Sequence, residues 1–114
     1  MPTDCLFCKI VSNEIPATRI YEDEHTLCFA DIDPKAPVHL LLIPRRHIVS
    51  HAHATAEHRQ ILGHLLAAAA DVARQEELTG GYRIVINTGA DGGQTVAHLH
   101  LHILAGRPMT WPPG

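Results

Sequence analysis

Aromatic residues, charged residues and long apolar runs are all scarce in this sequence, and the composition excludes several classes of protein. Phe, Trp and Tyr make up only 4% of the 114 residues and charged residues 18%, against 46% hydrophobic residues. That apolar share excludes an intrinsically disordered chain. The longest apolar run, residues 65–70, falls far short of the roughly 18 residues that a membrane-spanning helix needs. We therefore expect a folded protein with no membrane partner.

Charge of either sign is also scarce, and the net charge is only −3, with 9 Lys and Arg against 12 Asp and Glu. A general nucleic-acid or anionic-membrane binder needs a basic patch, so we expect no nucleic-acid partner. The N-terminus lacks the basic and apolar regions of a signal peptide, which predicts a cytoplasmic location. The length fits a single domain over residues 1–114, with an N-terminal segment at 1–13 and an extended tail at 105–114.

The sequence contains three cysteines, and this odd number argues against a disulfide framework. Cys5 and Cys8 form a C-x-x-C motif, which is typical of either a redox pair or half of a zinc site. A redox motif of the thioredoxin kind follows a strand, and no strand precedes Cys5, so half a zinc site is favoured. Cys28 lies in a strand-like run, and we expect it to be a small buried hydrophobic residue.

Hydrophobic periodicity predicts an α+β domain, in which one long helix crosses a face of an antiparallel sheet. A short helix is expected over residues 7–11, and strands are expected at 19–22, 26–31, 38–43, 82–87 and 97–104. The strand at 38–43 is nearly all apolar, which predicts a central position covered on both faces. Thr55 is the expected N-cap of the long helix, which should reach about residue 78 and bury a stripe of Ile61, Leu65, Ala69, Val72 and Ala73.

Histidine is abundant, with ten residues. His58 and His64 lie on the long helix, and we expect both to be exposed. His39 lies inside the apolar strand, where a partly buried side chain with satisfied hydrogen bonds is expected.

Three histidines at every second position, His98, His100 and His102, are the most informative feature. Side chains alternate between faces along a strand, so the three imidazoles share one face while the apolar residues between them enter the core. Folding alone gives no reason for such a row. Two chemistries remain open, an H-x-H pair that holds a catalytic zinc ion or one histidine that acts as a nucleophile.

A glycine-rich loop at residues 89–95 leads into these histidines. Glycines let backbone N–H groups approach an anion closely, and Thr95 adds a hydroxyl. Imidazole, with a pKa of about 6.5, serves as a nucleophile, an acid or a base. The combination therefore favours a phosphate bound beside imidazole.

Residues 98–104 match the pattern His-φ-His-φ-His-φ-φ, where φ is apolar, and here the chain resembles the histidine triad (HIT) family. The resemblance is to the Hint branch of that family and covers nearly the whole chain. It is carried by residues 6–10, 14–17, 29–32, 44–48, 87–89, 91–95 and 107–114. The tail ending in Trp-Pro-Pro-Gly is especially specific to that branch.

The resemblance implies a homodimeric α+β HIT fold that binds purine nucleoside monophosphates such as AMP. It also implies a purine nucleoside phosphoramidase, a hydrolase that cleaves a phosphorus–nitrogen bond through a nucleotidyl-histidine intermediate. By position His100 is the nucleophile, and His102 and Thr95 are catalytic residues in contact with the phosphate and the leaving group. Thr95 stands where this branch commonly has serine, and its extra methyl could narrow the choice of leaving group.

The same resemblance implies a set of nucleotide-binding residues. Asp31 would bind the ribose hydroxyls, and Asn87 and the loop from Gly93 through Gln94 to Thr95 would hold phosphate oxygens. The walls of the purine pocket would be Leu6, Phe7, Ile10, Phe29, Ile32 and Val49. Trp111 would lie near the active site of the partner subunit.

HIT relatives with the C-x-x-C motif take two further zinc ligands from the histidine after Pro-Arg-Arg and from the first histidine of the triad. Here these are His47 and His98, so the resemblance implies one structural zinc per chain on Cys5, Cys8, His47 and His98, and no catalytic metal. The soft thiolates favour this site over a catalytic zinc on His98 and His100. The simpler alternative is that both cysteines are packed or exposed thiols.

Two other functions stay open from the sequence. A dinucleoside polyphosphate hydrolase or nucleotidyl transferase of the same family would use the same histidines, although the tail argues against it. A regulatory protein that binds nucleotides and hydrolyses them incidentally would keep the same pocket. The sequence identifies neither the leaving amine nor the base, because the expected walls are apolar.

Overall fold

The computed structural model describes residues 4–114, so residues 1–3 of the predicted N-terminal segment lie outside the described residues. Two α-helices, two short 3₁₀ turns and five strands follow one another along the chain. In order they are α1 Leu6–Val11, β1 Arg19–Glu22, β2 Thr26–Ala30, β3 Val38–Pro44, the 3₁₀ turns His51–His53 and Ala56–His58, α2 Arg59–Gln75, β4 Tyr82–Val85 and β5 Leu101–Ala105. The α+β class, the five strands, the long helix and the short N-terminal helix are all confirmed.

The five strands form one antiparallel sheet in the order β1-β2-β3-β5-β4. β3 lies at the centre and is buried from His39 to Pro44, as its apolar run predicts. In the register of β3 with β5, Leu41 lies opposite His102 and His39 opposite Leu104. His39 and His102 therefore project from the same face of the sheet, as diagonal neighbours on adjacent strands.

Each face of the sheet has its own apolar core. Helix α2 covers one face, where Leu65, Ala69 and Val72 pack against Leu42 and Leu101. Cys28 is fully buried in this core, as predicted. The short helix α1 covers part of the other face, and its residues pack against Leu27, Phe29, Leu41 and Ile43. Since α1 has only six residues, it leaves part of that face open beside His102.

The predicted histidine strand begins later than expected. β5 starts at Leu101 rather than at residue 97, and it ends at Ala105, one residue inside the predicted tail. Beyond the Leu42–Leu101 pair the register would place Ile43 opposite His100 and Pro44 opposite Leu99, and Pro44 has no N–H to donate, so the ladder does not extend to Leu99. Leu99 instead donates its backbone N–H to Ile48 O at 2.6 Å. β2 and β4 are also shorter than predicted, and end at Ala30 and Val85.

The long helix differs from its prediction at both ends. Thr55 caps a 3₁₀ turn over Ala56–His58, and α2 proper runs only from Arg59 to Gln75. Glu77 has a φ of 56°, a left-handed conformation that ends the helix before residue 78. Of the predicted stripe, Ile61 is half-buried and the other members are buried.

The expectation that His58 and His64 are exposed is wrong. His58 is 7% exposed because its Nδ1 accepts the Thr55 N–H at 2.8 Å, which draws the ring into the helix start. His64 is half-buried and its Nε2 lies 2.9 Å from Asp23 Oδ2. Within residues 4–114, no helix is both long and apolar enough to cross a bilayer.

Candidate active site and metal centre

A cavity of about 260 Å³ opens on the α1 face of the sheet. Apolar side chains from α1, from the segment before β1 and from the end of β2 form most of its wall. The polar side chains in its lining are Asp31, Thr95, His100 and His102. A wider cavity of about 620 Å³ lies between the C-terminal end of α2 and residues 105–108, and its lining includes no histidine. The smaller cavity therefore combines an apolar body with a reactive polar end.

His100 is buried at 4% exposure and its two ring nitrogens have different roles. Nδ1 lies 2.7 Å from His98 O, and a carbonyl can only accept, so Nδ1 carries the proton. Nε2 is left with a free lone pair. Burial lowers the pKa of His100, and Phe7 packs edge-on against its ring at a centroid distance of 5.1 Å. His100 is therefore a neutral imidazole with an available nucleophilic nitrogen.

His102 is held in the opposite tautomer by His39. The Lys35 N–H donates to His39 Nδ1 at 3.0 Å, so the proton of neutral His39 is on Nε2. That Nε2–H lies 2.9 Å from His102 Nδ1, which accepts it and leaves the proton of His102 on its own Nε2. Burial lowers the pKa of His102 to about 4, helped by the neighbouring imidazoles of His100 and His39. The cavity thus contains one neutral nucleophile and one neutral N–H donor.

Sequence reasoning missed this role of His39. Its satisfied hydrogen bonds are confirmed, but the side chain is buried at 7% exposure rather than partly buried. The signal was present in the alternation of β3, which puts His39 and Leu41 on one face. Asp31 Oδ2 completes the cluster, at 3.4 Å from His39 Nε2. The donor atoms of Asp31, His39 and His102 lie within 4.8 Å of one another, as a metal site requires. The Lys35 N–H argues against a metal, since it keeps a proton on the His39 nitrogen that a metal would need.

The glycine-rich loop, residues 89–95, approaches the cavity through Thr95. Gly93 has a φ of 81°, and a Cβ on Gly92 would lie 2.2 Å from Thr88 O, so both positions require glycine. Asn87 lies beside the loop, with its Nδ2 4.0 Å from where a Cβ on Gly93 would stand. The Gly93 N–H itself is bonded to Ala90 O at 3.1 Å.

Most of the predicted catalytic and nucleotide-binding residues line the 260 Å³ cavity, and the others lie outside its lining. Of the expected purine walls, five line the cavity, namely Leu6, Phe7, Ile10, Phe29 and Ile32. Val49 lies instead with Thr95 and His47 in a neighbouring cavity of about 380 Å³. Asn87, Gly93, Gln94 and Trp111 are outside the cavity lining in this single chain. Trp111 is 83% exposed, on a tail that Arg83 holds through Thr110 O at 2.8 Å.

The four predicted metal ligands, Cys5, Cys8, His47 and His98, come together, with all donor atoms within 4.8 Å of one another. Cys5 Sγ lies 3.4 Å from His98 Nδ1, and Cys8 Sγ lies 3.3 Å from His47 Nδ1. The two Nδ1 atoms are 3.2 Å apart. A tetrahedral zinc site with ordinary bond lengths has edges of about 3.3 Å between nitrogens and about 3.5 Å between nitrogen and sulfur. The donor set therefore fits a closed tetrahedral metal ion.

The surroundings prepare these ligands for a metal. His98 Nε2 lies 2.9 Å from Pro44 O, so it carries the proton and leaves the Nδ1 lone pair for the cluster. Burial lowers the pKa of His98 to about 4, which keeps the ring neutral. Burial also raises the pKa of the Cys8 thiol to about 11 in the metal-free protein, with a contribution from Cys5. Metal binding therefore has to displace thiol protons.

Comparison with known proteins identifies the class. Residues 12–109 match the HIT domain. An uncharacterised HIT-like protein from Synechococcus elongatus is 55% identical over 114 residues, all of both chains. A 14 kDa zinc-binding protein from Zea mays is 51% identical over 111 residues, 96% of this chain and 87% of that protein. The crystal structure of a HIT family hydrolase from Legionella pneumophila Philadelphia 1 superposes with a TM-score of 0.95 at 49% identity, covering 97% of this chain and 100% of that chain.

The chain is therefore a member of the HIT domain family, as its histidine pattern predicts.

Proposed function

We propose that this protein is a hydrolase that cleaves the phosphorus–nitrogen bond of purine nucleoside phosphoramidates and releases the nucleoside monophosphate. The observation that carries this proposal is the tautomer of His100. Its Nδ1–H is bound to His98 O at 2.7 Å, so Nε2 offers a lone pair at the polar end of an apolar cavity. The description of the Legionella pneumophila relative as a hydrolase supports the reaction class.

The reaction proceeds in two displacements at phosphorus. His100 Nε2 forms a bond to phosphorus while the P–N bond breaks, and the departing nitrogen takes up a proton that solvent water supplies through the Thr95 hydroxyl. Water then attacks phosphorus and gives one proton back to solvent, which replaces the proton that left with the amine. The electrons of the His100–phosphorus bond return to Nε2, which restores the neutral imidazole. The His98 carbonyl stabilises the positive charge that develops on the His100 ring. His102 Nε2–H and the Thr95 hydroxyl serve as donors to the phosphoryl oxygens and the leaving group.

The shape of the cavity supports a nucleoside as the bound group. Its apolar body is lined by Phe7, Ile10 and Phe29 and suits a flat purine ring. Asp31 lines the same cavity, with its Oδ2 3.4 Å from His39 Nε2, and its carboxylate would accept hydrogen bonds from ribose hydroxyls. The side chains around the body carry no polar group, so the base is recognised by stacking and shape, and both adenine and guanine are accepted.

Zinc is the proposed ion at the metal centre. The thiolate and imidazole donors suit it, and the Zea mays relative is described as zinc-binding. All four ligands are protein side chains, which makes the site structural. When bound, the ion ties Cys5 before α1 and His47 after β3 to the residues that lead into His100.

A homodimer is the proposed assembly. β4 is an edge strand of the sheet, with unpaired backbone groups along one side. Tyr82 at its start is 41% exposed and Ile86 just after it is 39% exposed, so the edge carries apolar surface. A second copy paired against β4 would cover both, and the exposed Trp111 on the tail tied to Arg83 would then reach toward the partner.

The decisive test replaces the nucleophile. We expect His100→Ala to lower the turnover of adenosine 5′-phosphoramidate by at least about 10³-fold, as expected for a lost nucleophile, with AMP affinity nearly unchanged. The matched control is His51→Ala, since His51 is exposed and is not among the residues that line the cavity. Rapid quenching and digestion of the wild type should locate a nucleotidyl adduct on the peptide containing His100.

Wild-type-like turnover by His100→Ala would refute the proposal. Faster hydrolysis of diadenosine tetraphosphate than of the phosphoramidate would shift the assignment to a polyphosphate hydrolase that uses the same histidine. AMP binding without turnover of either compound would favour a regulatory binding protein.

A further inference from the structure

The side chain of Gln94 joins three separate pieces of backbone next to the proposed active site. Its Oε1 accepts the Gly89 N–H at 3.1 Å. Its Nε2 donates to Val49 O at 2.8 Å and to Val96 O at 2.9 Å. Two carbonyls and one N–H fix which end of the amide is which, because carbonyls can only accept. Both hydrogens of Nε2 are therefore used within the protein.

These hydrogen bonds hold the residues immediately before and after Thr95. The backbone of Gln94 is also held, since its N–H donates to Gly89 O at 3.0 Å and closes the glycine-rich loop. Val96, which follows Thr95, is held through its carbonyl by the Gln94 amide. Thr95 lines the cavity together with His100 and His102, and it is exposed there. Packing therefore does not fix the position of Thr95. The hydrogen bonds of Gln94 fix it instead.

The third bond connects this loop to the segment that contains the metal ligand His47. Val49 O accepts from Gln94, and its neighbour Ile48 O accepts the Leu99 N–H at 2.6 Å. The segment 47–49 is thus tied to the chain on both sides of Ala97, at Gln94 and at Leu99. The segment 47–49 therefore serves as a common support. Gln94 positions Thr95 against it, and the Leu99 N–H positions the backbone between His98 and His100 against it.

We infer that Gln94 is a positioning residue for the departure of the amine, which holds the Thr95 hydroxyl in place and does not itself contact the nucleotide. This inference rests on the proposed phosphoramidase function. The step affected is the one in which His100 displaces nitrogen. An alkylamine needs help from a hydroxyl donor to leave, whereas an arylamine with a nitro group leaves readily without it. Gln94 therefore matters for poor leaving groups and little for good ones.

The test compares kcat/KM for an alkylamine and a 4-nitroaniline phosphoramidate of AMP, because kcat/KM reports the step that releases the amine. We expect Gln94→Ala to lower the alkylamine value by about 10- to 100-fold, the usual cost of misplacing a catalytic group by about 1 Å. The arylamine value should fall by less than about threefold, since that substrate does not depend on the hydroxyl. Gln94→Glu, which keeps the acceptor for Gly89 but loses both donors, should behave in the same way.

A double-mutant cycle separates positioning from general loosening of the loop. If Gln94 acts through Thr95, the double variant Gln94→Ala/Thr95→Ala is no slower toward the alkylamine substrate than Thr95→Ala alone. The matched control is Gln75→Ala, because Gln75 Nε2 also braces a backbone carbonyl, Ile20 O at 2.7 Å, but on helix α2. That control should leave both substrates unchanged.

Equal losses for the two substrates, or losses that multiply in the double variant, would overturn the inference while the phosphoramidase proposal stands. A wild type or His100→Ala variant that fails the preceding test would instead remove the proposed function. A folded Gln94→Ala variant that no longer binds AMP would also overturn the inference, because Gln94 would then act in nucleotide binding. If Gln94→Ala does not fold, Gln94→Glu carries the same comparison with the same two outcomes.

Discussion

Single side chains in this protein are held in defined protonation states by hydrogen-bond partners that are both near and distant along the chain. The Lys35 N–H fixes the proton of His39 on Nε2, and His39 in turn fixes the proton of His102. Asp23 is a second example, on the other side of the sheet. It accepts hydrogen bonds from His25 N–H, Thr26 N–H, Tyr21 OH and His64 Nε2, all at 2.8–3.0 Å.

These bonds make Asp23 a source of pH-dependent stability. Burial raises the pKa of its carboxyl, but the bonds from His25, His64 and Thr26 outweigh burial and hold the pKa well below its usual value. A carboxyl with a lowered pKa stabilises the folded state above its ordinary pKa of about 3.9, and this contribution is lost as the pH falls below that value.

We expect Asp23→Asn to lower the free energy of unfolding at pH 7 by about 1–3 kcal/mol, since hydrogen bonds to a charged group are lost. The difference from the wild type should shrink as the pH falls below about 4, where the unfolded-state carboxyl is protonated. Urea unfolding at several pH values measures this. Asp91→Asn is the control, since Asp91 is an exposed carboxylate in the glycine-rich loop. A constant difference at all pH values would contradict the assignment.

The alternation of residues 98–103 shows what sequence alone can predict at the scale of an element. It predicts that Leu99, Leu101 and Ile103 enter the core, and all three lie in the core beneath α2. It does not predict that the ladder fails to reach Leu99, because that depends on Pro44, a residue on another strand that has no N–H to donate. The start of α2 depends in the same way on Thr55 and His58, whose bond forms only in the folded chain.

The buried face of α2 gives a stability prediction at this scale. Leu65 is 1% exposed in the core between α2 and the sheet, so Leu65→Ala should lower the free energy of unfolding by about 2–5 kcal/mol. Ile32, which is 100% exposed, is the control, and Ile32→Ala should change it by less than about 0.5 kcal/mol. Chemical denaturation in the absence of nucleotide measures both. Similar losses in the two variants would show that α2 is not packed as described.

At the scale of the whole molecule, the metal centre joins the region of α1, which belongs to no strand pair, to the ends of the paired strands β3 and β5. Cys5 and Cys8 come from the region of α1, His47 from the segment after β3, and His98 from the residues before β5. The full ligand set could be predicted only through the resemblance to HIT relatives, because the C-x-x-C motif by itself indicates no more than half of a zinc site. The roles of Gln94 and His39 could not be predicted from the sequence. Each role depends on which backbone groups lie within 3.1 Å of the side chain in the folded protein.

We expect removal of zinc by a chelator to lower the melting temperature by about 10 °C or more, because a structural metal contributes directly to folding free energy. Cys8→Ser should purify with less than one zinc ion per chain by elemental analysis. Cys28→Ala is the matched control and should keep its zinc, since Cys28 is buried in the core beneath α2. Equal melting temperatures with and without the ion would exclude a structural metal.

The apolar body of the 260 Å³ cavity has a practical consequence. Under the proposed function, a wall without hydrogen-bonding side chains makes no side-chain hydrogen bond to the edge of the base, so synthetic bases with altered edges should be processed as readily as natural ones. Fluorescent purine analogues could then report product release in real time, without any change to the protein.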